Sequence, residues 1–223
     1  MRRPMSLMAQ MSARSYGQHC PIATALDLVG DRWTLLILRE LLGGSRRYSD
    51  LRGELPGIAT NLLSDRLRLL TAEGLVEQFE VPAPVARTMY RLSDAGWQYI
   101  PPVIAALARF GFVRLGIEPG GEISPLTGFL TAFVAGFNSH SARMVDEDYR
   151  AVIDGRDFDF GVQQGQLRGP RQGPSVELHA RASDLVETRR QRGGALPASR
   201  VELRGESAAT AQFLSVFGLR LAE

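Results

Sequence analysis

The side chains best suited to chemistry in this chain are cationic or hydrogen-bonding, and they gather between residues 46 and 87. Arg46 and Arg47 stand just before a short helical stretch, and Thr60, Asn61, Ser64 and Arg68 recur on one side of a longer one. A carboxamide such as Asn61 can pair in bidentate fashion with adenine, hydroxyls such as Thr60 and Ser64 can reach a phosphate or a thymine methyl, and a guanidinium suits phosphate or guanine. Arg87 falls near a predicted turn, from which it would meet a flanking minor groove or a phosphate. Each has a plainer alternative. Thr60 also suits a helix cap, which Ala59 cannot provide; Arg68 can pair with a nearby acid; Arg66 sits nearer the apolar stripe and reads as structural; Arg87 also fits a solvated loop.

Other chemistries find little support. His19, His140 and His179 are too scattered for a metal site, there is no partner for the single cysteine, and neither a GxSxG elbow nor a phosphate loop occurs. No metal, cofactor or enzymatic activity is therefore expected. Gly161, Gly165 and Gly169 recur every fourth residue but fall between short strands, where they read as turns. Cys20 opens a predicted helix beside His19, two features that favour thiolate and so a redox- or electrophile-sensing thiol; a small buried hydrophobe is the alternative. Phe129, Phe133, Phe137, Phe158, Phe160, Phe213 and Phe217 either line an apolar pocket for a small-molecule effector or form core.

Composition bounds the setting. The chain has 223 residues, enough for two modest domains, and no apolar run approaches the ~20 residues of a membrane span. No secretory signal is read at the N-terminus, so the cytoplasm is the expected location and no membrane partner is expected. All 26 basic residues are arginine. Residues 1 to 115 hold 14 of them against 10 acids, a surplus of 4, while residues 116 to 223 hold 12 against 14. The positive excess thus sits in the half that carries the polar helical face.

Several elements must position those side chains. Apolar residues recur with helical period from Cys20 to Val29 and from Trp33 to Leu42, punctuated by Gly30 and Gly43-Gly44. Ser49 is expected to cap a short helix with Leu51 and Leu55 inward, Pro56-Gly57 makes the turn, and a helix from Thr60 buries Leu63, Leu67 and Leu70 before stopping at Gly74. A short helix, a tight turn and a longer helix in that order make a helix-turn-helix. LVEQFEV and RTMYRLS then alternate as a two-stranded wing around PAPVA. The next helix, capped at Ser93, should be kinked or split by Pro101-Pro102, and Ile104, Leu107, Phe110, Phe112 and Leu115 beyond them need cover from a second subunit.

The expected organisation is a flexible arm (1–15), a winged helix-turn-helix DNA-binding and dimerisation domain (16–116), a linker (117–125) and a second α+β domain (126–223). In the last, Ser124-Pro125 starts an apolar helix, YRAVIDG, DFDFGVQQG, QLRGP, SVELHAR and SRVELRG read as strands, a helix capped by Ser183 ends at Gly193-Gly194, and ESAATAQFLSVFGL closes as a helix.

The first half resembles the HxlR-type winged-helix transcription regulators over residues 16 to 115. The likeness rests on Cys20-Pro21, the Gly30-Asp31-Arg32-Trp33 corner, Arg47-Tyr48, Leu63-Ser64 with Arg66-Leu67, Gly74-Leu75-Val76, and Tyr90, Leu92, Ser93 and Gly96 after the wing. It implies a homodimer on an inverted repeat of double-stranded DNA, commonly as a repressor, and several such regulators sense oxidants with a cysteine placed like Cys20. Asn61 stands where a basic residue is common, and Pro101-Pro102 doubles a proline that is usually single. The second half is similar to sterol-carrier-protein-like domains through YRAVIDG, Phe158 and Phe160, VELHARASDLVE and VELRGESAATAQFLSVF. That likeness implies a five-stranded sheet with helices and an apolar tunnel. The whole reads as α+β, with a DNA-binding regulator the first expectation and a lipid carrier dimerised by its winged helix the second.

Overall fold

A computed structural model describes residues 15–82, 87–115, 123–191 and 194–222. The first half runs α1 (Pro21–Val29), α2 (Thr34–Leu42), β1 (Arg46–Arg47), α3 (Tyr48–Glu54), α4 (Thr60–Ala72), β2 (Val76–Val81), β3 (Arg87–Leu92) and α5 (Asp94–Phe112). Leu63, Leu67 and Leu70 of α4 are buried against Ile37, Leu38, Leu41 and Leu42 of α2 and Leu51 and Leu55 of the α3 region, in one apolar core. That is the stripe expected from their spacing, with the intervening polar positions turned outward.

Two caps differ from expectation. The short helix starts at Tyr48, one residue before Ser49, and Asp50 supplies the cap by accepting the Arg47 N–H at 3.0 Å. At α4 the cap position is Ala59, and Thr60 is the first helical residue with no capping hydrogen bond from its side chain. The far end follows the pattern: Gly74 adopts φ +74 and the Leu75 N–H returns to the Leu70 carbonyl at 3.0 Å, closing the last turn.

β2 and β3 form the expected two-stranded wing, and β1 gives its sheet a third strand. β2 and β3 pair antiparallel from Val76 opposite Leu92 to Val81 opposite Arg87, and β1 adds to the outer edge of β3, Arg46 opposite Tyr90. A two-residue strand has no readable period, so pairing alone reveals it. α5 then opens at Ser93, whose hydroxyl accepts the Gly96 N–H at 2.9 Å and donates to the Gly74 carbonyl. A side chain at Gly96 would put Cβ 2.2 Å from the Leu75 carbonyl oxygen, so glycine permits this junction between the end of α4 and the start of α5.

α5 is one continuous helix through Pro101 and Pro102. Two missing N–H donors did not end it, because Trp97, Ile100, Pro101, Ile104 and Ala105 are buried and packing holds the segment helical. Ile104, expected to need a second subunit, is covered by this chain, and α5 packs on β6 (Gln166–Arg168) and on the helical turn at Leu130–Val134.

In the second half α6 (Pro125–Phe129) starts at Ser124, which accepts the Thr127 N–H at 3.2 Å, and passes into a π-helical turn at Leu130–Val134. β4 (Asp146–Ile153), β5 (Arg156–Gln163), β6, β7 (Val176–Ala180) and β9 (Glu202–Gly205) form a five-stranded sheet in the order β6-β5-β4-β7-β9, with β4 and β7 parallel. α7 (Ala182–Arg190) begins one residue before Ser183. Its first N–H is held by Asp154 across the sheet turn at 3.0 Å, a cap too distant in sequence to foresee. α8 (Ser207–Val216) closes the sheet, and β8 (Leu196–Pro197) pairs parallel with β10 (Leu221–Ala222). Both halves share one buried core. The expected wing loop at PAPVA and the expected linker fall largely, and the expected arm almost wholly, outside the described residues.

Candidate nucleic-acid interface

α3 and α4 meet through Tyr48. Its Oη donates to the Thr60 carbonyl at 2.7 Å and accepts from Ser64 Oγ at 3.3 Å, so one phenol fixes the first turn of α4 against the start of α3. Behind it, Arg66 is buried and forms an ion pair with Asp31 at the α1–α2 corner. Arg66 therefore holds the helix in place, as its position beside the apolar stripe suggested. At the same corner Trp33 takes φ +83, a conformation few non-glycine residues adopt, and Arg32 lies 5.2 Å from its ring centroid.

With that support α4 turns Thr60, Asn61, Asp65 and Arg68 to the exterior. Arg68 pairs with Asp65 at 2.8 Å, and both side chains are well exposed, so the pair is weak and readily exchanged. Ser64 is half-buried, and its proton is committed to Tyr48, which leaves the hydroxyl oxygen only as an acceptor toward any outside group. Arg47 lies at the start of α3, next to Tyr48 and thus near the first turn of α4. Tyr48 thus joins Thr60 and Ser64 of α4 to the start of α3, where Arg47 is the cap residue, and Asn61 follows Thr60.

Arg46 and Arg87 lie apart from that group. Arg46 donates to the carbonyls of Gly43 at 3.0 Å and Ser45 at 3.2 Å and lines a polar crevice that also includes Asp157, Asp159 and Arg168 of the second half. Arg87 begins β3 at the outer end of the wing, with its Nε buried and without a hydrogen-bond partner among the described residues. Closer to the base of the wing, Arg91 pairs with Glu77 at 2.9 Å and covers the Phe79 ring, and Thr88 donates to Glu80. Burial, followed by the neighbouring Tyr48 and Glu80, raises the Tyr90 phenol above its ordinary range, so it stays a neutral donor.

Cys20 occupies the cap position of α1, half-buried, with Pro21 as the first helical residue. The phenylalanines gather in the second half. Phe129 and Phe158 stack at 4.6 Å, Phe133 meets Phe217 edge-on at 5.2 Å, and Phe160 and Phe213 complete a cluster whose members are almost wholly buried. These rings face one another in the core of the second half; Phe137, half-buried, is at the edge of a smaller cavity beside Pro101 and Leu167. No group of three or more metal-ligating side chains occurs among the described residues, and no described helix is long and apolar enough to cross a membrane.

A helix-turn-helix whose second helix is buried on one side and polar on the other, followed by a wing, defines the DNA-binding transcription regulators. Residues 28–115 match the model of the HxlR-like helix-turn-helix family. An uncharacterized HTH-type transcriptional regulator of Synechocystis sp. is 37% identical over 128 residues, which span 56% of this chain and 93% of that protein. The uncharacterized HTH-type regulator YvaP of Bacillus subtilis is 34% identical over 92 residues, 41% of this chain and 84% of its own length. The chain belongs to the HxlR-like helix-turn-helix family, and DNA-binding transcription regulation is its class of activity.

Two residues that the sequence did not single out emerge here. Glu40 sits in the apolar run TLLILRELL and is 1% exposed. Arg156 opens β5 with its guanidinium 5.0 Å from the Phe158 ring centroid. An acid within a helical run that is otherwise mostly aliphatic was the available signal for Glu40; Arg156 had none.

Proposed function

We propose that the chain acts as a homodimeric, sequence-specific repressor, with α4 of each copy in a major groove and the two copies about one helical turn, ~34 Å, apart on an inverted repeat. The division of α4 carries this reading: Leu63, Arg66, Leu67 and Leu70 are buried, and Thr60, Asn61 and Arg68 are exposed on the opposite side. Asn61 reads a base edge, Arg47 and Arg68 hold phosphates, and the wing arginine Arg87 meets the flanking backbone. Ala59 gives α4 no side-chain cap, which leaves its first-turn N–H groups and positive dipole end for a phosphate.

Dimerisation uses the outer face of α5. Tyr99, Val103, Leu107 and Phe110 lie four, four and three residues apart on one side of that helix and are all exposed. Ile22, at 70% exposure, and Leu26 form a second apolar pair on α1. Apolar surface arranged this way favours a partner of the same kind in a two-fold arrangement. We read the second half, with its five-stranded sheet and the helices α6, α7 and α8, as a sterol-carrier-like accessory domain whose core holds a cluster of its own rings.

Mobility-shift titration and footprinting on the protein's own upstream region test the reading. The double substitution Arg47→Ala, Asn61→Ala should abolish the specific complex while the circular dichroism spectrum and dimer mass stay as in the parent. Undiminished protection of the same bases by the double variant would defeat it.

A further inference from the structure

Between the two halves lies a cavity of about 430 Å³, bounded by Glu40 of α2, by Ala108 and Phe112 near the end of α5, and by Leu126, Leu130 and Arg156 of the second half. Most of its wall is apolar. Two of its polar atoms are buried and without a hydrogen-bond partner among the described residues: Glu40 Oε2 and Arg156 Nη2. The other Glu40 oxygen is held by Arg39, whose Nε donates to Oε1 at 3.1 Å, so the carboxylate is fixed in direction and its second oxygen remains open. The Arg156 guanidinium lies over the Phe158 ring, and its Nη2 runs close enough to Gly43 that a Cβ there would stand 3.3 Å from it.

An acceptor and a donor of opposite charge thus line one cavity without pairing to each other. Buried polar atoms of this kind are almost always satisfied, because leaving them bare forfeits their hydration. The cavity lies within the usual size range of small-molecule sites, and beside Arg39, Glu54 and three hydroxyl side chains its wall carries an apolar patch of Ala108, Phe112, Leu115, Leu126 and Leu130 that suits an apolar body. Part of that wall is the π-helical turn at Leu130–Val134, a backbone irregularity common at functional sites.

We infer that this cavity binds a small molecule with an apolar body and one neutral polar end that carries a donor and an acceptor side by side, as a primary carboxamide does. The amide N–H donates to Glu40 Oε2, the amide carbonyl accepts from Arg156 Nη2, and the body lies against Phe112, Leu126 and Leu130. The space is distinct from the ring-filled core of the second half. It touches the end of α5, so an occupant that fits one arrangement of the two halves better than another would shift the separation of the two α4 helices. The site itself does not depend on the DNA-binding reading.

Calorimetric titration of the full chain with phenylacetamide, phenylacetate, phenethylamine and ethylbenzene tests the inference, since these probes share a body and differ at the polar end. Phenylacetamide should bind best, and Glu40→Met and Arg156→Met should each weaken it about ten-fold or more, the usual effect of losing a hydrogen bond to a charged group. Both variants should retain the parent circular dichroism spectrum. If either fails to fold, the probe series on the parent protein still decides. The inference is overturned if phenylacetamide does not bind, if ethylbenzene or a charged probe binds as tightly, or if the folded variants bind phenylacetamide unchanged. Binding of phenylacetamide while the protein fails to protect its upstream DNA would uphold the site and defeat only the regulator reading.

Discussion

Tyr48 and Thr60, on two different helices, are joined by a hydrogen bond of 2.7 Å from the phenol Oη to the backbone carbonyl oxygen. The same Oη accepts from Ser64, so α4 is gripped over its first two turns by a residue adjacent to Arg47. In the proposed complex this contact sets the angle at which Asn61 meets a base. Tyr48→Phe keeps the ring and deletes both bonds. It should lower stability by about 1 kcal/mol in chemical denaturation and weaken specific DNA binding several-fold, with a smaller effect on non-specific binding. Equal losses on specific and random DNA would show that Tyr48 only stabilises the fold.

The phenylalanine cluster makes a different forecast. If the rings are core, Phe133→Ala leaves a void among Phe129, Phe160, Phe213 and Phe217, whose ring centroids lie 5.2 to 5.8 Å from that of Phe133. The expected cost is about 3–5 kcal/mol, read as a lower denaturation midpoint with an unchanged slope. A wall of an open tunnel would cost much less on truncation, because solvent or ligand already stands on one side. A loss below ~1 kcal/mol would therefore restore the tunnel.

The helix-turn-helix was legible because its signals are local. Leu63, Leu67 and Leu70 recur at helical spacing, and Gly74 alone can take the left-handed stop cheaply, so the stripe and end of α4 follow from a few neighbouring letters. What escaped depends on distant partners. β1 exists only because β3 lies beside it, and the α7 cap is Asp154, from the turn that follows the neighbouring strand β4. The prolines of α5 were expected to kink or split the helix; they do not split it, because packing of Ile100 and Ile104 outweighs their local penalty. At the candidate interface the sequence could name Arg47, Thr60, Asn61 and Ser64 as surface groups. It could not separate Arg46, whose donors turn back onto the α2–β1 link at Gly43 and Ser45.

Glu40 links stability to pH in a direction opposite to most carboxylates. Burial raises its pKa above 4.5, against the opposing pull of Arg39. A raised pKa means that the folded state holds the proton more tightly than the unfolded chain. The favourable contribution is complete below about 4.5 and is lost as pH climbs through the folded value. Glu177, Glu187 and Glu202 are shifted down by exposed arginine or histidine partners and act in the other sense, so total stability hides the effect. Comparison with Glu40→Gln isolates it. The parent should gain stability relative to the variant as pH falls from 7.5 toward 4.5, and parallel denaturation curves at both pH values would exclude a buried, proton-linked Glu40.

In the proposed dimer the outer face of α5 sets how the two recognition helices are spaced. Leu107 and Phe110 are 46% and 63% exposed, and the guanidinium of Arg114 lies 4.1 Å from the Phe110 ring centroid. Ile104 and Ala105, by contrast, are buried within the chain, so charges can be placed on the outer face without opening the core. Leu107→Glu with Phe110→Glu should leave the melting temperature of each subunit close to that of the parent and shift the sedimenting species to the monomer, because two like charges per copy would face their counterparts across a two-fold axis. A monomer has one α4 to offer, so it forfeits the second half-site and with it several orders of magnitude in affinity for an inverted repeat, while a single half-site should be bound about as weakly as by one subunit of the parent. A double variant that remains dimeric and binds the full repeat normally would assign the dimer contact to another surface, with Ile22 and Leu26 of α1 the next to test.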